Sequence, residues 1–416
     1  MNILIKNGRL IDPANGVDGQ HNLYLADGRV AAVGAAPVGF TADRELDAAG
    51  AVVCPGLVDL SARLPNLDSE LQAAVAGGVT TLVCPPDTKP VLDEPGLVER
   101  LVRLSKAQGQ ARVRPLGALT QGLEGQSLAA MAGLTGAGCI AMSQASSPVT
   151  DFQALLRAMQ YAATYGYAVW LQPEDYTLSR DGVAHDGEVS ARLGLAGIPV
   201  AAETVAVATL VELARTTGVR LHLMRLSSAA GVRLVAAARA QGLPVTCDVD
   251  VHHLHLTEED IGYFDPLARF DPPLRTQGDR EALVQAVADG TIQAICSDHY
   301  PRSAEDKLLP FDEAEPGAIG LELLLPLTLA WAKDAGVALP QALARITSDA
   351  AAVAGLHAGN LSVGAVADVT VFDPEAVWTV GADTLRSRGR NTPFLGRELR
   401  GRVRSTLVGG QVVYQA

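Results

Sequence analysis

Eight short apolar runs, most of them followed by a stretch with helical spacing, divide the middle of this chain. Such alternation is typical of a parallel sheet, because parallel strands need a crossover connection that is usually a helix. The runs are Val52–Leu60, Val79–Cys84, Val113–Leu119, Cys139–Ser143, Ala168–Gln172, Arg220–Leu226, Val245–Val251 and Ala294–Ser297. Helices are expected at Ser69–Ala76, Gly96–Gln108, Asp151–Tyr165, Glu203–Thr217, Ala229–Ala240 and Asp279–Ala288. The pattern predicts an α/β fold, a closed (β/α)8 TIM barrel, and 416 residues can hold that barrel and a smaller module.

The two ends of the chain have a different pattern from its middle. The first part contains short alternating strands broken by the turn signals Asn7-Gly8, Asn15-Gly16 and Asp27-Gly28. The segment from about residue 361 returns to this pattern. We therefore predict a small composite β-sandwich formed by residues 1–52 and 361–416, and a barrel formed by residues 53–360.

Composition and charge narrow the classes of function. The net charge is −13, from 33 basic and 46 acidic residues, which argues against nucleic acid or an anionic membrane as the main partner. No apolar run approaches the roughly 18 residues of a membrane span. The opening Met1–Lys6 is typical of a strand and not of a cleavable signal, so a cytoplasmic protein is expected. Five cysteines without a Cys-x-x-Cys pair predict buried, reduced thiols.

The first apolar run is followed by two polar residues at alternate positions. Ser61 and Arg63 share one face of an extended segment, because side chains two apart in a strand point the same way. Two histidines at this spacing could hold a metal ion. A hydroxyl is a poor ligand and a guanidinium stays protonated, so this pair cannot do so.

Motifs along nearly the whole chain resemble those of the dihydroorotases, which belong to the amidohydrolase superfamily. The segments that carry the resemblance are Asn7-Gly8, Ile11-Asp12-Pro13, Pro55–Asp59, Ala76–Thr81, His252-His253-Leu254, Leu256–Asp260, Pro272–Arg275, Ser297-Asp298-His299, Pro316–Glu322 and Asn391–Phe394. Their order and spacing make the resemblance specific. The family binds one or two zinc ions through His-x-His on barrel strand 1, a carboxylated Lys or an Asp on strand 4, a His on each of strands 5 and 6, and an Asp on strand 8. The metal supplies a hydroxide near neutral pH.

The resemblance implies that this metal site is degenerate. Compared with the family, the replaced ligand positions are Ser61, Arg63, Gln144, Gln172 and Arg225, and the replaced substrate positions are Pro65, Asp87, Asp271 and Arg302. Asp298 remains, with His299 beside it, as a vestigial site. A divalent ion about 4 Å from one guanidinium would be repelled by roughly 8 kcal/mol at an effective dielectric near 20. We therefore expect no metal, no cofactor and no catalytic residue, and an ion pair of Arg63 or Arg225 with Asp298 in the vacated space.

Other polar residues have plainer interpretations. His222 is expected to be a core residue, and His21, His185 and His357 are expected on the surface or in loops. The carboxylates Glu174 and Asp175 are explained by inheritance of their segment. His253 and His255 are predicted to share a strand face, which leaves a rearranged metal site as a weaker hypothesis.

Hypotheses from different classes remain open. The first is a pseudo-enzyme: the resemblance includes inactive dihydroorotase-like chains that certain bacteria pair with the aspartate transcarbamoylase catalytic chain, which implies a structural or assembly subunit of a hetero-oligomer in pyrimidine biosynthesis. The alternative is a divergent amidohydrolase that opens a cyclic amide at a rearranged site near His253, His255, Asp298 and His299. Only this alternative requires zinc. A third and weaker hypothesis is a small-molecule sensor that kept a pocket.

Overall fold

The N-terminal strands of the chain build a small sheet domain. In the computed structural model, which describes residues 1–416, these strands are β1 (Ile3–Lys6), β2 (Arg9–Asp12), β3 (Val17–Gln20), β4 (Leu23–Ala26), β5 (Arg29–Val33), β6 (Arg44–Asp47) and β7 (Val52–Pro55). One sheet has the order β5-β4-β1-β6. The β4–β5 hairpin turns at Asp27-Gly28, where both residues have positive φ, 51° and 76°. The tight turn predicted from this dipeptide is therefore present.

Parallel strands then close into a barrel. They are β8 (Leu57–Asp59), β9 (Val79–Cys84), β10 (Arg112–Pro115) with its continuation β11 (Gly117–Ala118), β12 (Met142–Ser143) and β13 (Ala168–Leu171). Two short strands, β14 (Ala184–His185) and β15 (Gly197–Ile198), pair with each other apart from the barrel, which continues with β16 (Arg220–Leu223), β17 (Val245–Asp250) and β18 (Ala294–Cys296). Neighbours pair in sequence order, and a parallel bridge between Ala62 and His299 joins the last strand to the first. The predicted (β/α)8 barrel is confirmed.

Twelve helices accompany these strands. They are α1 (Leu67–Ala76), α2 (Pro95–Gln108), α3 (Met131–Ala137), α4 (Phe152–Thr164), α5 (Tyr176–Ser179), α6 (Glu188–Leu193), α7 (Val200–Thr217), α8 (Ala229–Ala240), α9 (Gln277–Asp289), α10 (Leu324–Asp334), α11 (Leu339–Arg345) and α12 (Ser348–Val353). Side chains at the N-caps fix several starts: Asp151 accepts hydrogen bonds from two backbone N–H groups of α4, and Ser228 accepts one from Gly231. None of the helices combines the length and the apolar character that crossing a bilayer requires.

The C-terminal strands return to the small domain. They are β19 (Val369–Thr379), β20 (Glu398–Val408) and β21 (Gln411–Gln415), and they extend a sheet of order β21-β20-β19-β7-β2-β3. Buried side chains from both ends of the chain, such as Ile5, Leu10, Val371 and Leu407, form its core. The expected β-sandwich built from both termini is therefore present.

The first apolar run, Val52–Leu60, does not form one strand. Its first half is β7, which pairs with β2 and β19 in the sandwich, and its second half is β8 in the barrel. The chain crosses between the domains at Gly56, where an added Cβ would lie 2.2 Å from Thr80 Oγ1. Only glycine allows this close approach. The boundary therefore lies at Gly56 and not at residue 52.

Candidate active site

The carboxyl ends of the barrel strands, where sites of TIM barrels are built, carry a cluster of buried polar side chains. Asp298 follows β18, Arg225 follows β16, and Ser61 and Arg63 follow β8. Each of these four residues is at most 5% exposed. A charge buried this deeply is tolerated only when it is paired and hydrogen-bonded. The hydrogen-bond and ion-pair partners of each charged side chain therefore determine how this cluster is stabilised.

Three side chains donate hydrogen bonds to the carboxylate of Asp298. Arg225 Nη1 lies 2.9 Å from both Asp298 oxygens, Oδ1 and Oδ2. Arg63 Nη1 donates to Oδ1 at 3.2 Å, and Ser61 Oγ donates to the same oxygen at 2.8 Å. The ion pair predicted from the sequence is confirmed, and it involves both arginines. We name Ser61, Arg63, Arg225 and Asp298 the guanidinium cluster.

Arg63 is held from its other side as well. Its Nε donates to Asp87 Oδ2 at 2.8 Å, and its guanidinium carbon lies 4.1 Å from the ring centroid of Tyr300. The guanidinium of Arg302 also stacks on Tyr300, at 3.5 Å, and pairs with Glu315. Two positions that the resemblance assigns to substrate, Asp87 and Arg302, thus take part in internal contacts at the barrel mouth.

Ser146 bridges the two arginines. Its hydroxyl oxygen accepts from Arg63 Nη2 at 3.2 Å and from Arg225 Nη2 at 3.0 Å. Sequence reasoning missed this residue, because a single serine in the loop after β12 carries no motif. The neighbouring Gln144 was the only signal in that loop.

Gln172 extends the cluster to two carboxylates. Its Oε1 accepts from Arg225 Nη2, while its Nε2 donates to Asp271 Oδ1 at 2.8 Å and to Glu174 Oε2 at 3.2 Å. Burial, together with the negative charge of Asp271, raises the pKa of Glu174 to about 7. The amide therefore stands between a cation on one side and a pair of acids on the other.

Two of the predicted site residues lie apart from the cluster. Gln144 is buried, but its amide meets Thr120 Oγ1, at 2.8 Å from Nε2 and 3.0 Å from Oε1. Pro65 is exposed and immediately precedes Asn66, the N-cap of α1. Neither residue touches Asp298 or an arginine of the guanidinium cluster.

Electrostatics keep both buried arginines charged. Burial alone would lower the pKa of Arg63, but the attraction of Asp87 and Asp298 outweighs it and raises the pKa above its ordinary value. For Arg225 burial and the charge of Arg63 lower the pKa, and Asp298 and Asp271 more than compensate. The mouth of the barrel therefore contains two permanent positive charges.

His299 does not form an acid–base pair with Asp298. Its Nδ1 accepts from the backbone N–H groups of Gly320 and Leu321, at 3.1 and 3.4 Å, so the ring proton is on Nε2. That nitrogen donates to Glu70 at 2.9 Å. Both ring nitrogens are therefore occupied by structural hydrogen bonds.

The histidines after β17 do not share a strand face, which corrects the prediction. Residues 251–254 form a 3-10 turn, in which side chains do not alternate as they do in a strand. His253 Nε2 donates to the carbonyl of Pro272 at 3.1 Å, and His255 Nε2 to that of Leu327 at 2.9 Å. Burial lowers the pKa of His255 to about 4. These bonds occupy the Nε2 atoms that a metal would need.

Two further histidines, His222 and His185, are both buried. His222 is a core residue as predicted, with ring nitrogens 2.9 Å from Thr246 Oγ1 and 3.2 Å from Asp248 Oδ2. His185 was expected on the surface or in a loop, which is wrong: it lies in β14, is 6% exposed and lies 3.1 Å from Arg275 Nη1. That partner is 90 residues away in sequence, so no local pattern could predict the contact.

The residues at the barrel mouth do not fit zinc. Structural and catalytic zinc sites use thiolates, imidazoles and carboxylates, whereas the positions that correspond to the family's ligands hold a hydroxyl, two amides, one carboxylate and two guanidinium groups. In the whole chain no three His, Cys, Asp or Glu side chains are arranged to hold a metal ion. The donor set thus disagrees with the metal that the resemblance implies.

The chain is similar to one family of known proteins. A family model described as dihydro-orotase-like matches residues 50–230, and an amidohydrolase family model matches residues 328–414. A dihydroorotase-like protein of Pseudomonas aeruginosa is 45% identical over 423 residues, covering 100% of both chains. A protein named dihydroorotase from Geobacter sp. (strain M21) is 41% identical over 427 residues, again covering 100% of both.

A solved structure has the same fold. The L-hydantoinase (dihydropyrimidinase) of Arthrobacter aurescens superposes with a TM-score of 0.88 and 24% identity, over 99% of this chain and 96% of that one. At this identity the likeness concerns the fold, and it agrees with the barrel and sandwich described above.

Proposed function

The chain belongs to the dihydroorotase-like family of the amidohydrolases, and we propose that it is an inactive member that serves as a structural subunit of an aspartate transcarbamoylase complex. The observation that carries the first half of this proposal is the contact of Arg225 and Arg63 with Asp298. The second half rests on the resemblance to the inactive family chains that partner aspartate transcarbamoylase.

The residues at the barrel mouth lack the chemistry that catalysis in this family requires. Hydrolysis of a cyclic amide in this family needs a metal ion to lower the pKa of water to near neutrality. Among the residues that correspond to ligands, only Asp298 has an oxygen donor of the required kind, and both of its oxygens already accept from Arg225. Without an activated water the rate would be lost almost entirely.

Neither His299 nor Asp298 offers a substitute general base. His299 is bonded through both ring nitrogens, and the Asp298 carboxylate is neutralised by two guanidinium groups. A general base must reach the proton that it removes with a free lone pair. The barrel mouth therefore supports a structural role for these residues.

The same contacts explain how the fold persists without catalysis. Asp298, Arg225 and Arg63 tie together the ends of β18, β16 and β8, which are far apart in sequence. Removing one partner of such a buried pair typically costs about 3–5 kcal/mol, because the other charge stays buried. A chain retained for assembly needs a rigid scaffold, and this cluster supplies rigidity at the barrel mouth.

Two measurements on the purified full-length protein test the proposal. We expect less than about one tenth of an equivalent of zinc after dialysis, and no turnover of dihydroorotate. The aspartate transcarbamoylase chain of the same organism, co-expressed with this protein, should elute with it as one complex and lose activity or assembly when this chain is omitted. A transcarbamoylase that is fully assembled and active alone would contradict the structural role.

A second candidate function has one observation in its favour. Relatives named dihydroorotase, such as that of Geobacter sp. (strain M21), are 41% identical over the full chain. An active amidohydrolase would turn over a cyclic amide in a way that chelators inhibit and that Asp298→Asn abolishes. Chelator-sensitive turnover would favour this function over the first.

A further inference from the structure

A separate cavity of about 230 Å³ lies beside the guanidinium cluster. It shares Gln144, Ser146 and Gln172 with the barrel mouth, and its other walls are the end of β13, the loops after β12 and β13, and the helices α4, α5 and α7. An apolar cavity of about 150 Å³ suffices for a benzene molecule. This cavity therefore has room for a ring and a short polar arm.

The inner walls of the cavity are apolar. Leu155 on α4, Leu171 at the end of β13, Leu210 on α7 and Val149 in the loop after β12 contribute hydrocarbon surface. Small-molecule sites are mostly apolar and have a few placed polar groups. The composition of these walls favours a ligand with an apolar body.

The charged residues that line the cavity are acidic. Its charged lining residues are Glu174 and Asp175, and no Lys, Arg or His side chain lines it. Asp175 already caps α5, because its Oδ1 accepts from the backbone N–H groups of Thr177 and Leu178 at 3.0 and 3.1 Å. Glu174 accepts from Gln172 Nε2 at the longer distance of 3.2 Å. Burial and the charge of Asp271 raise the pKa of Glu174 more than Ser179, Arg225 and Arg275 lower it.

Two aromatic side chains stand at the opening. Phe152 and Tyr176 both line the cavity and remain 52% and 50% exposed. An ammonium group within about 6 Å of an aromatic face is attracted by the ring quadrupole. Aromatic rings that line the same cavity as a carboxylate favour a cation over an anion.

We propose that this cavity binds a small amphipathic organic cation, an ammonium group carried on an aromatic or branched aliphatic body. The body lies between Leu155, Leu171 and Leu210, and the ammonium group pairs with Glu174. The cavity adjoins the degenerate metal position at Asp298, and Gln172 lines it. Its occupancy does not depend on whether the chain is a subunit of a transcarbamoylase complex.

Phenethylamine is the probe, with 3-phenylpropionate and 2-phenylethanol as anionic and neutral counterparts of the same shape. Isothermal titration of the full-length protein at pH 8, where Glu174 is ionised and a primary amine is still protonated, should show saturable 1:1 binding of phenethylamine. The alcohol should bind about tenfold more weakly, and the carboxylate should not bind measurably. No saturable binding of the amine, or equal binding of all three probes, would overturn the proposal.

Variants locate the binding in the cavity. Glu174→Gln should weaken phenethylamine about tenfold, while the exposed control Glu99→Gln on α2 should leave its affinity unchanged. Ala206→Leu, which adds bulk from α7, should abolish binding. Circular dichroism verifies the fold, and Thr209→Leu, nearer the surface of the same helix, replaces Ala206→Leu if that variant unfolds. Undiminished affinity in the variants that fill the cavity would refute this location.

Discussion

Arg225 and Asp298 meet through a bifurcated contact of 2.9 Å, and both adopt a left-handed backbone conformation, with φ of 56° and 37°. For residues other than glycine this conformation costs of order 1–3 kcal/mol and persists only where surrounding contacts impose it. Here the ion pair joins the two strained residues. The backbone geometry and the side-chain contact therefore depend on each other.

Replacing Arg225 tests the stability of this contact. Arg225→Met should lower the free energy of unfolding by about 3 kcal/mol, because Asp298 stays buried and loses its main partner. Arg63 and Ser61 still contact the carboxylate, which keeps the loss at the lower end of the usual range. Urea denaturation followed by circular dichroism measures the difference.

A surface pair provides the control for this experiment. Arg400 and Glu375 pair at 3.1 Å, but their side chains are 59% and 80% exposed. Arg400→Met should change stability by less than about 1 kcal/mol. If Arg225→Met lowered the free energy of unfolding no more than Arg400→Met does, the guanidinium cluster would not stabilise the barrel mouth.

Restoring imidazoles should restore metal binding. The combined variant Ser61→His, Arg63→His, Gln172→His and Arg225→His places four neutral donors around Asp298 and removes two positive charges. We expect about one equivalent of zinc after dialysis, measured by plasma mass spectrometry and removable by a chelator. The Ser61→His, Arg63→His variant keeps Arg225 and should bind far less. Stoichiometric zinc in the unmodified protein would contradict the whole interpretation of the site.

Asp59 makes stability depend on pH. This residue is fully buried and accepts from the backbone N–H and the hydroxyl of Ser297, at 2.7 and 2.6 Å. Burial raises its pKa to about 7, against about 4 in an unfolded chain. Below pH 4 the group is protonated in both states, and between pH 4 and 7 only the unfolded state ionises, so its stabilising contribution is lost as the pH rises.

Asp59→Asn removes this titration. Relative to that variant, the unmodified protein should lose stability between pH 4 and 7, on the order of 1 kcal/mol per pH unit. Denaturation midpoints collected across this range for both proteins give the comparison. Parallel pH profiles would show that Asp59 ionises normally in the folded state.

Gly56 controls the crossing between the two domains. An added Cβ would approach Thr80 Oγ1 and Cγ2 to 2.2 and 2.3 Å, so Gly56→Ala should destabilise the protein by about 1–3 kcal/mol. Gly96→Ala in α2 is the matched control, since its Cβ would meet nothing within 4 Å, and it should be neutral or gain up to about 1 kcal/mol. Equal unfolding free energies for the two variants would count against a steric role for Gly56.

The barrel could be predicted from the sequence because buried strands and the helices between them differ in the spacing of their apolar residues. The sequence prediction missed the break at Gly56, since the close approach of Thr80 comes from a residue 24 positions away. The ends of the six expected helices were correct within three residues, as the start of α7 at Val200 and not at Glu203 illustrates, whereas α3, α5, α6, α10, α11 and α12 were not expected.

The sequence predicted those site residues whose place is set only by their position relative to the end of a barrel strand. Arg63 and Arg225 follow their strands at positions where the family has ligands, and both reach Asp298 as expected. Gln144 does not reach Asp298, since its amide bonds to Thr120 Oγ1. Ser146 could not be singled out, since a bridge between two guanidinium groups exists only in three dimensions.

A bound zinc ion belongs to an exchangeable pool and can be withdrawn by a competing ligand or by scarcity. The positive charge that closes this barrel is covalently attached to the chain through Arg63 and Arg225. This positive charge is present as soon as the chain is synthesised, and no ion has to be bound to supply it. The mouth of this protein therefore keeps its charge balance in a cell deprived of metal.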